Sequence, residues 1–179
     1  ETCSTCGGDG VTRERATLTI DVPAGIEDGQ TLRVEGEGAP GERGGPHGDL
    51  LVEVSVEDHE EFERDGADLH HNLLVSFPQA VFGDTVEVPT VDGAVELDVP
   101  AGTQSGRTFR LEGKGMPRLR SRRQRRARRA DGDLYVHVQV YVPESLNDEQ
   151  REALRQFAEA GGEEVDVNEG FFERLKNSF

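Results

Sequence analysis

The 179-residue chain carries 36 Asp and Glu against 20 Lys and Arg, a formal charge of −16, with 34% hydrophobic residues, no Trp and one Met. That apolar content supports cores of modest size in one large or two small domains. No stretch approaches the roughly 20 apolar residues of a membrane-spanning helix and no charged-then-apolar signal opens the chain, so the default reading is a soluble, cytoplasmic protein. Only Lys114 and Lys176 are lysines, and the acids are dispersed, a composition expected of a salt-loaded cytoplasm where ionic strength screens self-repulsion.

The first element is ETCSTCGGDG, which sets Cys3 and Cys6 in a Cys-x-x-Cys-x-Gly-x-Gly pattern; they are the two cysteines of the chain. A structural zinc site wants four ligands, and glycines after the second Cys let backbone N–H groups turn toward the thiolates. Half of such a site is present. Among the histidines only His70 and His71 are close in sequence, and adjacent strand residues point to opposite faces, so they make a poor chelate. The other two ligands are expected on polypeptide preceding residue 1. A redox role for the pair ranks lower, because no helix N-terminus flanks it to lower a thiol pKa.

Beyond the cysteines the chain repeats itself. Asp21 to Pro40, DVPAGIEDGQTLRVEGEGAP, matches Asp98 to Pro117, DVPAGTQSGRTFRLEGKGMP, at a constant offset of 77 residues, and GDLLVEVSV from Gly48 matches GDLYVHVQV from Gly132 at an offset of 84. The second copy therefore carries a loop seven residues longer. Two copies of one β-rich unit are the simplest account. Within them Leu18, Ile20 and Val22 alternate with polar residues, as do Leu50, Val52, Val54 and Val56, which predicts strands with one buried face. The runs LHHNLLVSF and TVEVPTVDGAVELDVP supply further strands, with a hairpin turn at Asp92-Gly93. Glu57 to Glu63 reads as a solvated loop. The first copy has only the cysteine motif before it, so upstream strands of its domain are expected on preceding polypeptide.

The longer loop is RLRSRRQRRARR, Arg118 to Arg129, with eight arginines and no acid. Clustered Arg suits a polyanion or nucleic acid, since it displaces phosphate counterions. Without interleaved aromatics for base stacking, a solvated loop lying on the protein's own acidic surface is the better reading, and nucleic acid is not expected as a partner. Near the end Asn147 caps a helix starting at Asp148, with Gln150 completing a capping box and Gly161-Gly162 as the stop. Leu154, Phe157 and Ala158 form its apolar stripe, and GFFERLKNSF adds Phe171, Phe172, Leu175 and Phe179 at helix-like spacing. Such apolar area docks either on its own domain or on a second chain.

No Gly-x-Ser-x-Gly, phosphate loop, His-Glu-x-x-His or dinucleotide fingerprint occurs, which argues against an enzyme. The fold class expected is mostly β: two tandem similar β-sandwich domains and a short C-terminal helical segment. The partition is residues 1–10 for the partial cysteine repeat, 11–66 and 67–143 for the β domains, and 144–179 for the helix and tail.

Taken together, the cysteine element, the DVPAG and EGxG signatures in both copies, Gly48-Asp49-Leu50, HEEFERDGADL from His59, VFGDTVEVPT from Val81 and the terminal GFFERLKNSF resemble the C-terminal portion of DnaJ-type J-domain co-chaperones. The resemblance covers essentially the whole chain. It implies unfolded-polypeptide binding on the first β domain by strand addition beside an apolar groove, delivery of clients to a DnaK-type ATPase chaperone, zinc held by four cysteine repeats, and a dimerising C-terminus. Carried over by position, Leu18 and Val52 would line the groove, with Ile20 and Val54 beside them. Cys3 and Cys6 would be the last zinc repeat, and Leu154, Phe157, Phe171, Phe172 and Leu175 would carry dimerisation. The sequence contains no His-Pro-Asp tripeptide, so the element that stimulates the ATPase partner is not expected in these residues, and the Arg-rich loop exceeds the short connection usual in the family.

Overall fold

The computed structural model describes residues 15–41, 45–119 and 131–163. Eight strands and two helices follow in chain order: β1 (Thr31–Val34), β2 (Leu50–Glu53), β3 (Glu63–Asp65), β4 (Asp68–Ser76), α1 (Phe77–Phe82), β5 (Asp84–Thr90), β6 (Gly93–Val99), β7 (Thr108–Leu111), β8 (Leu134–Tyr141) and α2 (Asp148–Ala160). The protein is mostly β. Its second repeat builds two layers, a four-stranded sheet in the order β3-β4-β8-β7 and a β5-β6 hairpin, while the first contributes the antiparallel pair β1-β2.

The repeat extends to individual atoms. Arg33 Nε meets Asp49 Oδ2 at 2.8 Å, and Arg110 Nε meets Asp133 Oδ2 at 2.7 Å. The same aspartates accept from a glycine N–H, Gly36 to Asp49 at 3.1 Å and Gly113 to Asp133 at 2.8 Å. Beyond the assigned ends of the strands, Val54 N–H donates to Gln30 O and Gly29 N–H to Val54 O, just as Val138 N–H donates to Arg107 O and Gly106 N–H to Val138 O. The loop bases also coincide, Gly38 with Gly48 and Gly115 with Gly132, each at 2.8 Å. Two segments 77 and 84 residues apart thus close one hydrogen-bond pattern, with the additional loop length lying outside the paired positions.

The core belongs to the second repeat. Leu69, Leu73 and Val75 from β4 and Leu134, Val136 and Val138 from β8 face Val88, Leu97 and Val99 of the hairpin and Ala80 of α1, all buried. β4 and β8 run parallel over eight residue pairs, Leu69 with Leu134 through Ser76 with Tyr141. Their same-face aliphatics therefore stack in step, and the opposite face carries His70, Asn72, Tyr135, His137 and Gln139. As the alternation requires, the adjacent histidines diverge: His70 Nδ1 lies 2.9 Å from His137 Nε2, whereas His71 Nδ1 lies 2.9 Å from Glu61 O.

Four expectations are corrected. Residues 18–23, expected as a strand from the alternation of Leu18, Ile20 and Val22, join no ladder. A strand needs a neighbour for its backbone groups, and among the described residues none pairs with this segment. The end of LHHNLLVSF turns into α1, where Ser76 and Gln79 form a capping box and proline opens the helix. The hairpin loop is Val91-Asp92, with Gly93 pairing to Thr90 at φ +127°. The glutamate run is a loop only to its last residue, since Glu63 begins β3. The C-terminal helix follows its caps: Asn147 and Gln150 exchange bonds at 2.8 and 3.0 Å, and the helix ends at Ala160 before Gly161.

The repeats meet at one polar clamp. Arg64 donates from Nη1 to Ile26 O (2.8 Å), from Nη2 to Gly25 O (2.9 Å) and from Nε to Gly66 O (2.7 Å). Gly25 sits against the Pro117 backbone with φ +88°, where a Cβ would lie 1.8 Å from Pro117 O. Leu134→Ala in the core is expected to cost about 2–5 kcal/mol and Leu51→Ala, on the solvent face of β2 opposite Leu50 and Val52, within about 0.5 kcal/mol, both measured by urea unfolding at constant salt. The Gly113 N–H and the Arg110 guanidinium hold the Asp133 carboxyl below the ordinary Asp range. A depressed folded pKa contributes stability present above the unfolded pKa and lost as pH falls through the folded one. Asp133→Asn is therefore expected to flatten the acid limb of a stability profile below about pH 4, read by thermal unfolding across that range.

Candidate functional site

Superposing the repeats by register shows what each expected client-binding residue corresponds to. Val52 and Val54 are the counterparts of Val136 and Val138, both fully buried, and Leu50 of fully buried Leu134. Leu32 and Val34 on β1 pair with Val52 and Leu50 and correspond to Phe109 and Leu111, which pack on the second core. One sequence pattern thus makes a closed face in the second repeat. In the first, Leu32, Val34, Leu50, Val52 and Val54 are all half-buried.

The difference lies in what covers them. In the second repeat β8 is flanked by β4 and β7 and roofed by the β5-β6 hairpin and α1. In the first, β2 has β1 on one side, and among the described residues no strand stands where β4 would stand. Leu18 and Ile20 correspond to Val95 and Leu97 of the roofing hairpin; Leu18 is 37% exposed and Ile20 half-buried. No ladder joins them to β2. Four residues chosen as groove-lining therefore occupy positions that are core or core-adjacent one repeat later, on an aliphatic surface that the described residues cover only in part.

On α2, Leu154 and Phe157 are 44% and 60% exposed, and Ala158 is buried. Phe157 meets Phe77 of α1 edge-on at 5.8 Å, a contact foreshadowed only by the Ser76-x-x-Gln79 box with Pro78. Cys3, Cys6, Phe171, Phe172 and Leu175 lie outside the described residues, as do residues 120–130 of the Arg-rich run. Its first member, Arg118, lies 3.7 Å from Asp68 Oδ1, an acid of the protein itself. Among the described residues no group of three or more His, Cys, Asp or Glu is placed to hold a metal, and no helix is long and apolar enough to cross a membrane. Sequence reading also missed a cleft between the repeats, floored by Phe62 and Met116, because its walls come from segments distant in the chain.

These features define a tandem-repeat β protein in which one copy of the unit is closed and the other is only partly covered by the described residues. Residues 5–143 match the DnaJ C terminal domain and residues 149–179 the chaperone protein DnaJ C-terminal region, and the chain belongs to the DnaJ C-terminal domain family. It is similar to the chaperone protein DnaJ of Haloarcula marismortui, 69% identical over 99% of this chain and 44% of that protein, and to that of Halobacterium salinarum, 72% identical over 99% and 47%. It is also 49% identical to the chaperone protein DnaJ of Pediococcus pentosaceus, over 99% of this chain and 46% of that protein. The chain spans less than half the length of these relatives. The two nearer in identity come from salt-loving genera, in keeping with the acid-rich, lysine-poor composition.

If the first-repeat face is open, a charge is tolerated there and not at its counterpart. Val138→Asp is expected to cost more than about 3 kcal/mol, because it buries an unpaired carboxylate, and to abolish cooperative unfolding. Val54→Asp is expected to retain a native far-UV spectrum and a single thermal transition. Circular dichroism melts of the two variants side by side give the comparison.

Proposed function

We propose that this chain is the client-holding half of a DnaJ-type co-chaperone: it binds unfolded or extended polypeptide on the first repeat, and the whole protein delivers that polypeptide to a DnaK-type ATPase chaperone in the cytoplasm. One observation carries the reading. Aliphatic side chains that the second repeat seals into its core are only half-buried in the first, along a strand pair. Adding an extended client to a sheet edge satisfies its main chain whatever its sequence, while alternate side chains enter apolar pockets. Leu18, Ile20, Val52 and Val54 would line that surface, within β domains divided at 11–66 and 67–143, and no chemical step is required of any residue.

Two features of the whole protein follow as proposals. Cys3 and Cys6 would supply two thiolates to a structural zinc, which needs two more ligands from elsewhere in the polypeptide. Zinc there would stiffen the cysteine segment, since metal binding and folding of such a segment are coupled. Leu154, Phe157, Phe171, Phe172 and Leu175 would associate two chains, giving an extended client two binding surfaces at high effective concentration. The polyanion reading of Arg118 to Arg129 is weaker, because Arg118 already lies beside an acid of its own chain.

Anisotropy of a labelled, extended apolar peptide is expected to show saturable binding in high-salt buffer, lost on Leu18→Asp and on Val52→Asp; a folded chain that binds no peptide would overturn the reading. For association, Phe171→Asp with Phe172→Asp is expected to halve the sedimenting mass in analytical ultracentrifugation, and an unchanged mass removes those residues from the interface.

A further inference from the structure

Between the repeats lies a cleft of about 1110 Å³ whose residues the client-holding reading does not use. Its floor is apolar: Val56 from the end of the first repeat, Phe62, Leu69, Val91 at the β5-β6 turn, and Met116. Its rim is acidic, formed by Glu27, Asp28, Glu57, Asp58, Glu61 and Glu63. Among the described residues none of these six carboxylates takes part in an ion pair. Arg64 is the cation of the lining, and its guanidinium is engaged with the carbonyls of Gly25, Ile26 and Gly66 rather than with the rim. The charge of the rim therefore has no counterpart within the described protein.

A second, independent feature concerns shape. β3, which lines the cleft through Glu63 and Arg64, is an outer strand of the four-stranded sheet: it pairs with β4 on one side and with no described strand on the other. An unpaired strand edge beside an apolar floor is the arrangement that accepts an added strand. The volume exceeds the roughly 300–1,000 Å³ usual for small-molecule sites, and the negative rim repels phosphates.

We propose that this inter-repeat cleft binds an extended polypeptide segment in which arginine or lysine alternates with apolar residues, aligned along β3. Apolar side chains at every second position seat on Phe62, Val91 and Met116, and the long basic side chains between them reach the rim carboxylates. Contact pairing of this kind survives high ionic strength, because a Debye length of about 3 Å at 1 M salt removes long-range attraction before it removes charges in contact. None of the lining residues is Leu18, Ile20, Val52 or Val54, so this site stands or falls separately from the first-repeat surface.

The test uses the whole chain, at salt concentrations where its circular dichroism is constant, with a labelled peptide alternating arginine and leucine and its glutamate–leucine counterpart. The arginine peptide is expected to bind saturably, one per chain, and to slow amide exchange at Glu63–Asp65. The quadruple variant Glu57→Gln, Asp58→Asn, Glu61→Gln, Glu63→Gln is expected to weaken it at least about tenfold. Val91→Ser, at an exposed position, should weaken it by several-fold, and the binding that remains in the Val52→Asp background, where the first-repeat surface is disabled, should show the same dependence on the rim and on Val91. Three results overturn the proposal: equal binding of the glutamate peptide, affinity unaltered by the rim and floor variants as diffuse attraction to an acidic surface would give, or loss on Val52→Asp alone, which moves the peptide to the first-repeat face. Absence of saturable binding to the folded chain overturns it as well.

Discussion

The structure depends on the parallel ladder between β4 and β8. Parallel neighbours cannot be joined by a tight turn and require a crossover. Here the crossover is everything between Ser76 and Leu134: α1, the β5-β6 hairpin, β7 and the arginine run. The hairpin and helix are carried onto one face of the ladder, where Val88, Leu97, Val99 and Ala80 close over Leu73, Val75, Val136 and Val138. The other face is polar apart from the exposed Leu74 and orders itself through side-chain contacts, His137 stacking on His70 and His70 on Tyr135 at 5.2 and 5.3 Å. A single pairing thus decides which aliphatics become core and which residues meet solvent.

The first repeat shows the same unit without that ladder. Its aspartate, arginine and glycine contacts at the base of the strand pair match those of the second repeat, so the local geometry does not require the core. What differs is burial. The β1-β2 pair keeps the inward-facing pattern of a core, and among the described residues no further strand completes it. The proposed client surface would need no special residues, because the affinity of Val and Leu for an apolar environment is the same whether the partner is the protein's own hairpin or another chain.

That equivalence explains what could be read from the residues alone. The repeat, its offsets and the α2 caps were legible because they rest on local chemistry: glycines at fixed spacing, Asn147 with Gln150, and alternating aliphatics. The mostly β class followed from the alternation. The parallel partnership of β4 with β8 was not legible, since nothing in LHHNLLVSF or GDLYVHVQV names its neighbour. Ser76 and Phe77 read as strand although the capping box is visible, because a six-residue helix offers too little periodicity to outweigh the preceding alternation. Val52 and Val54 present the hardest case. Aliphatic alternation marks a face that wants to be covered, and only the repeat comparison shows that in this copy the cover is not among the described residues. The inter-repeat cleft was invisible for a related reason: Val56, Phe62, Val91 and Met116 converge only through the Arg64 clamp and the approach of Gly25 to Pro117.

The paired glycine contacts at the base of each loop have a consequence for the evolution of this architecture. Gly115 with Gly132, and Gly132 with Met116, fasten the strand ends on either side of the arginine run, and the seven additional residues shift no rung of the ladder beyond them. Once such a loop is closed, each doubling of its length costs only about 0.6 kcal/mol in entropy. The site therefore acts as a mechanically isolated port, where a lineage can lengthen, shorten or recharge a segment, or an engineer can graft a foreign epitope, without renegotiating the packing of the domain that carries it.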